Sequence, residues 1–243
     1  MKLYTESIKL GELANISFYT ALEAFYAMGF ELIEINQSED GSLDDNNVCL
    51  GSIQFVHSSL KKLGKSIPEP LDYPHELTQF LGRKIWVSTI DEIANDPSTW
   101  GVFVKPKGLV KKFTGRVIRS TKDLIGCGDV TMNTPVWVSE TVIFMAEWRV
   151  FIRYGVILGA KLYRGDWRAQ FDHKIIENAV NLFVTAPAGY ALDFGLTTDG
   201  RLLLIEVNDG YSIGNYGLFY VDYAKLLAAR WAELTDQTDL CNF

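Results

Sequence analysis

Apolar positions along the chain fall into two textures. In the first part they recur at helical spacing between short extended runs. Phe18, Leu22, Phe25 and Tyr26 predict a helix over 17–28, which Gly29 ends. A short strand is expected over 31–35, with Leu32 and Ile33 in it. The polar stretch 36–47 reads as a surface loop. Residues 48–50 predict a buried strand leading through Gly51 and Ser52 into a helix over 53–63. Residues 66–74 carry Pro68, Pro70 and Pro74, which exclude regular structure and suggest a domain boundary.

Beyond that boundary the pattern turns to hairpins. Strands are expected over 84–88, 102–105, 113–118 and 136–140, with a short helix over 89–95 capped by Ser88. Ser120 and Asp123 have the spacing of a capping box. Residues 147–153 and 156–163 form a hairpin across Tyr154-Gly155, and an amphipathic helix covers 171–183. Residues 190–197 and 201–208 form a second hairpin across Asp199-Gly200. A closing helix spans 221–234, with Tyr223, Leu226, Leu227 and Trp231 on one face. No internal repeat or low-complexity tract is present.

Composition narrows the class. The 243 residues are 48% hydrophobic and 22% charged, enough apolar material for a core and too much for disorder. The net charge of −7 argues against a general nucleic-acid or anionic-membrane binder. No apolar run approaches the roughly 20 residues of a membrane span, and residues 1–15 lack a signal-peptide core. Cys49, Cys127 and Cys241 are odd in number and widely spaced, so disulfides are not expected and a reducing cytoplasm fits. His57, His75 and His173 fall in three separate settings and read as structural or solvated.

The richest chemistry lies in residues 193–208. A two-residue turn at Asp199-Gly200 would place Asp193 directly opposite Glu206, with Asn208 on the same face. Opposed carboxylates repel unless a cation lies between them, and an oxygen-only set suits Mg²⁺ or Mn²⁺. The alternative is a solvated face on an edge hairpin. The apolar run 202–205 argues instead for a central strand, with Glu206 as an intrusion. A three-residue turn would bring Leu192 opposite Glu206.

Two further segments carry candidate groups. Lys105 ends an apolar strand that Pro106 stops, and Lys107, Gly108, Lys111, Lys112 and Gly115 follow in a cationic loop. Such a loop can fold over phosphates, or it is an exposed basic turn. Residues 135–140 form an apolar strand ending in Glu140. Its backbone can read an adenine, or it is a buried strand whose Glu reaches solvent.

In this order, the lysine strand and its loop, the apolar strand ending in Glu, and the late hairpin with Asp and Glu-x-Asn resemble the ATP-grasp superfamily over roughly residues 80–234. Residues 147–152, Glu-Trp-Arg-Val-Phe-Ile, further resemble its clade marked by an Arg and two Lys. The resemblance implies an α+β ATP-grasp fold. A small α/β domain (1–75) would precede a grasp domain (76–243) with lobes at 76–140 and 141–243.

The resemblance also implies roles. Lys105, Lys107 and Lys112 would contact ATP phosphates, Val138 the adenine and Glu140 the ribose or amino group. Asp193, Glu206 and Asn208 would hold Mg²⁺, with Glu206 also beside the nucleotide. Arg149 would neutralise phosphate or acyl-phosphate charge. Lys161 would join it as the second clade lysine only if the turn were three residues long, Arg153-Tyr154-Gly155; Lys107 or Lys112 are the alternatives. Arg164, Arg168 and Ser212 are candidate substrate contacts. The implied activity is a cytoplasmic carboxylate–amine or carboxylate–thiol ligase working through an acyl phosphate on an amino-acid-like, peptide or protein substrate. A kinase on the same fold and a nucleotide-bound interaction module remain alternatives. Oligomeric state is left open.

Overall fold

The computed structural model describes residues 1–7, 15–35, 43, 47–108, 112–128 and 132–243. The first unit is a three-stranded parallel sheet of β1 (Lys2–Glu6), β2 (Glu31–Ile35) and β3 (Val48–Leu50) in the order β2-β1-β3, with α1 (Ile16–Ala27) and α2 (Ile53–Lys62) packed on it. Asn15 and Ser52 cap the two helices by accepting from the Ser17 and Phe55 amides, a local signature of polar residues ahead of apolar runs. Within α1, Phe25 enters the core, whereas Tyr26 turns to solvent. Strand β1 was not evident in the charged N-terminal sequence. The expected loop at 36–47 lies outside the described residues apart from Leu43 and Asn47.

The second sheet joins β4 (Ile85–Thr89), β5 (Val102–Pro106), β6 (Arg116–Ile118) and β7 (Pro135–Ser139) in the order β4-β7-β5-β6. Helix α3 (Ile90–Asn95) packs Ile90 and Ile93 beneath it, against Val104, Val136 and Val138. Thr89, not Ser88, caps α3, because the Glu92 carboxylate answers the Thr89 amide and completes a capping box. The expected Ser120–Asp123 box is present. Pro106 does not end pairing at Lys105; it is the last residue of β5, opposite Val136.

The third sheet contains β8 (Phe144–Arg153), β9 (Val156–Gly165), β10 (Gly189–Thr197) and β11 (Leu202–Asp209) in the order β11-β10-β8-β9. One face packs on α4 (His173–Leu182) through Trp148, Val150, Tyr190, Leu192 and Phe194. Phe151 and Ala191 on the other face join α5 (Tyr220–Thr235) and the first unit in one core. Strand β11 lies at an edge, not at the centre as its apolar run suggested. Its outward backbone groups are covered: the Arg83 guanidinium donates to the carbonyls of Leu204 at 2.8 Å and Ile205 at 3.0 Å, and the Val207 amide donates to the Asp72 carbonyl at 3.1 Å. That cover is what lets an edge strand be apolar. The three cysteines are free and buried. Among the described residues, no helix is long and apolar enough to cross a membrane.

Candidate active site

Alternation along β8, β10 and β11 sends every second side chain to the face away from α4. Arg149, Asp193, Glu206 and Asn208 are on that face, and the register sets Asp193 opposite both Arg149 and Glu206. Arg149 and Asp193 are both buried. The guanidinium grips the carboxylate with Nε at 2.8 Å from Oδ1 and Nη2 at 2.7 Å from Oδ2, a two-pronged geometry only Arg supplies. Burial works against the Arg149 charge, but the Asp193 carboxylate outweighs it and holds the guanidinium pKa above its ordinary value. Burial raises the Asp193 carboxyl, and Arg149 pulls it back. Nη1 of Arg149 reaches the Gly214 carbonyl at 3.5 Å. The guanidinium lies over Tyr216, 4.9 Å from the ring centre, and Tyr216 stacks on Tyr163 at 4.9 Å.

Asn208 donates to Asp193 Oδ2 at 3.2 Å and makes a long 3.5 Å contact to Glu206 Oε1. Glu206 Oε2 takes Lys105 Nζ at 3.0 Å, which reaches across from the second sheet. The Lys105 ammonium also pairs with Asp72 Oδ1 at 2.9 Å and lies 4.5 Å from the centre of the Tyr73 ring. Burial raises the Glu206 pKa and Lys105 lowers it; the net shift is downward. Burial likewise opposes the Lys105 charge, but Glu206, Tyr73 and Asp72 hold its pKa above the usual lysine value.

Asp193 meets Glu206 by an unexpected route. The β10–β11 turn spans three residues, since Thr197 and Arg201 pair around it and Gly200 takes φ 84°. That alone would oppose Leu192 to Glu206. A bulge at Ile205 restores the register beyond Phe194. The β8–β9 hairpin shows the converse. Its turn is the two-residue Tyr154-Gly155, which alone sends Lys161 to the far face. A bulge between Phe151 and Ile152 shifts the register by one and sets Lys161 opposite Arg149.

Lys161 is half-buried and has no ion-pair partner among the described residues. The other sequence candidates stand apart from this cluster. Lys107 lies over the Trp137 ring at 5.0 Å. Lys112 is exposed, and residues 109–111 of its loop, including Lys111, lie outside the described residues. Val138 is fully buried between Trp86 and Val104, and Glu140 accepts from the Lys84 amide at 2.9 Å. Arg164 pairs with Glu147, and Arg168 with Asp166 two residues away. The Ser212 hydroxyl donates to the Gly51 carbonyl at 2.7 Å.

Sequence reasoning missed Asp72 and Tyr73, which it assigned to a linker, and the Tyr216–Tyr163 stack under Arg149. The signal for Asp72 was weak: an acidic residue between Leu71 and Tyr73, bracketed by Pro70 and Pro74.

The site thus joins an acid–amide pair on a hairpin, a lysine crossing from the second sheet, and a buried arginine paired with Asp193 on the neighbouring strand. Residues 80–226 match the ATP-grasp domain, R2K clade family 2. The chain belongs to the R2K clade of ATP-grasp proteins. Its fold is the ATP-grasp fold, and solved structures of the same architecture cover almost all of it. The D-alanine–D-alanine ligase from Bacillus anthracis complexed with ATP superposes with a TM-score of 0.60 at 14% identity, over 97% of this chain and 99% of that one. The D-cycloserine synthetase DcsG gives a TM-score of 0.57 at 14% identity, over 95% and 100%. The macrocyclase MdnC bound with precursor peptide MdnA, from Microcystis aeruginosa MRC, gives 0.54 at 13%, over 93% and 99%. At these identities the likeness is one of fold. No curated protein sequence matches this R2K-clade chain.

Proposed function

We propose that the protein is an ATP-dependent ligase that activates a carboxylic acid as its acyl phosphate and joins it to an amine. Residues 1–75 would be the unit ahead of the grasp, and 76–140 and 141–243 its two lobes, with ATP between them. The observation that carries the reading is the buried Arg149–Asp193 fork, set between Lys161 on one side and Glu206 with Asn208 on the other, while Lys105 reaches in from the facing sheet.

In the first step a carboxylate oxygen attacks the γ-phosphorus of ATP, and the β–γ bridging oxygen leaves with its bonding pair as ADP. In the second, an amine lone pair attacks the acyl carbon, phosphate departs with the C–O pair, and the amine gives up a proton. Neither step needs a side-chain nucleophile; both need neutralised charge and fixed geometry. Lys105 is placed to hold phosphate oxygens, with its charge secured by its acidic neighbours. Arg149 is clamped by Asp193 and Tyr216, so it meets the developing charge without reorganising. Lys161, opposite it, adds a second cation on the same face.

The donor set also fits a hard divalent cation, being two carboxylates and a carboxamide within hydrogen-bond reach. Both Asp193 oxygens are held by Arg149, so Glu206 and Asn208 would be the primary holders and Asp193 the group that orients them. Such an ion, when bound with ATP, supplies charge neutralisation on the phosphates.

The activity of the named relatives on amino-acid or peptide substrates supports an amino-acid-like or peptide substrate here. The test is a panel of amino acids and peptides incubated with MgATP, read as ADP and free phosphate release with mass spectrometry of the product. A condensed product one water lighter than its parts is expected. A phosphorylated product would make the protein a kinase instead. Glu206→Gln is expected to abolish Mg-dependent ADP formation while the fold survives, and wild-type turnover in that variant would remove the metal assignment.

A further inference from the structure

The proline-rich segment 66–74 is more than a connection. Pro70 and Pro74 bracket Leu71-Asp72-Tyr73, and Asp72 takes φ 40°, a left-handed conformation uncommon outside glycine and held here by its contacts. The constraint comes from both sheets. The Asp72 carbonyl accepts from Val207 on β11, while its carboxylate accepts from Trp137 Nε1 on β7 at 2.8 Å and pairs with Lys105 on β5 at 2.9 Å. The Tyr73 ring meets the Trp137 ring edge-on at 5.2 Å. Asp72 thus ties the two sheets together at the lysine assigned above to the ATP phosphates.

Asp72 and Glu206 put two negative charges on one ammonium. The Lys105 and Asp72 side chains are only 14% and 19% exposed, so water screens the pair weakly. A triphosphate cannot share Lys105 with both carboxylates without placing like charges side by side. Glu206 can turn to a cation that arrives with the nucleotide; Asp72 is anchored to Trp137 and Val207 and has no such outlet.

We infer that Asp72 is a positioning residue of the nucleotide site that holds Lys105 in place of the triphosphate and gives it up when ATP enters. Its negative charge weakens nucleotide binding in proportion to the phosphate charge brought in. The inference rests on the ATP reading above.

The test compares ATP, ADP and adenosine binding to the full-length wild type and to Asp72→Asn by calorimetry with Mg²⁺. The amide still accepts from Trp137 but no longer neutralises Lys105. ATP is expected to bind about tenfold more tightly to the variant, the scale of removing one nearby like charge. ADP should gain less and adenosine nothing, and KM for ATP should fall. A purely structural role would move adenosine equally or weaken all three, and either result overturns the inference. A structure of the wild type with a non-hydrolysable ATP analogue serves if the variant does not fold. Asp72 more than 4 Å from Lys105 Nζ is expected there, and a retained contact near 3 Å overturns it. Wild type that binds adenosine but not ATP would sink the ATP reading itself. Wild type that binds ATP while Asp72→Asn binds it no better would sink this inference alone.

Discussion

Arg149 and Asp193 are joined by two parallel hydrogen bonds of 2.8 and 2.7 Å across neighbouring strands, with both side chains out of solvent. Removing one partner leaves a bare charge in a site built for a pair. Arg149→Ala is expected to cost about 3–5 kcal/mol by urea unfolding. The double variant Arg149→Met, Asp193→Leu should recover most of that loss. Equal instability of the single and double variants would mean that the pair is not what the fold depends on.

The Lys105–Glu206 contact gives a pH dependence with a definite sign. The folded Glu206 pKa is lowered. Its contribution to stability is therefore complete above the ordinary glutamate value of about 4.3 and is lost as pH falls through the lower folded value. The folded Lys105 pKa is raised, so its share is complete below about 10.4 and is lost only as pH rises through the folded value. Urea midpoints taken from pH 7 down to pH 3 should fall less steeply in Glu206→Gln than in wild type. Parallel curves would contradict the assignment.

Gly210 follows β11 where the backbone of Gly189 passes close by. A Cβ at Gly210 would lie 2.2 Å from the Gly189 carbonyl oxygen, which cannot swing aside as a side chain would. Gly210→Ala is expected to destabilise by at least about 1–3 kcal/mol, measured by thermal or urea unfolding. An unchanged midpoint would show that the backbones can separate there.

Arg83 covers the free edge of β11. Arg83→Met keeps the aliphatic stem and removes the donors to Leu81, Leu204 and Ile205. A loss of about 1–3 kcal/mol is expected. Light scattering should also show concentration-dependent association, because an apolar edge strand is left open to pairing. A variant that stays monodisperse would show that other groups protect the edge.

Much of this architecture was legible from local chemistry. The helix over 17–28 is displaced by a single residue at each end, since a cap and a glycine mark its limits in sequence. The pairing of Asp193 with Glu206 was also expected, but for the wrong reason. Asp199-Gly200 suggested a two-residue turn, the chain makes a three-residue one, and the bulge at Ile205 returns the register. Bulges have no reliable sequence mark, which is also why Lys161 could not be set opposite Arg149 from the turn alone. The edge position of β11 was illegible because its cover comes from Arg83 and Asp72, both more than 100 residues earlier. Asp72 was overlooked because three prolines suggest a linker, although the same rigidity is what lets a short segment hold a charge in place.

The turn after β11 is fastened to the first unit and not to its own sheet alone. Ser212 reaches Gly51 at 2.7 Å, Tyr211 meets His57 at 2.8 Å, and the Asn215 amide donates to the Ser17 hydroxyl at 3.0 Å. Gly214 and Tyr216 of the same turn touch Arg149. One flank of the candidate site is thus borrowed scaffolding. Grafting a different α1 and α2 would recontour what the arginine faces while leaving the charged strands untouched, a natural route to new acceptors on old chemistry.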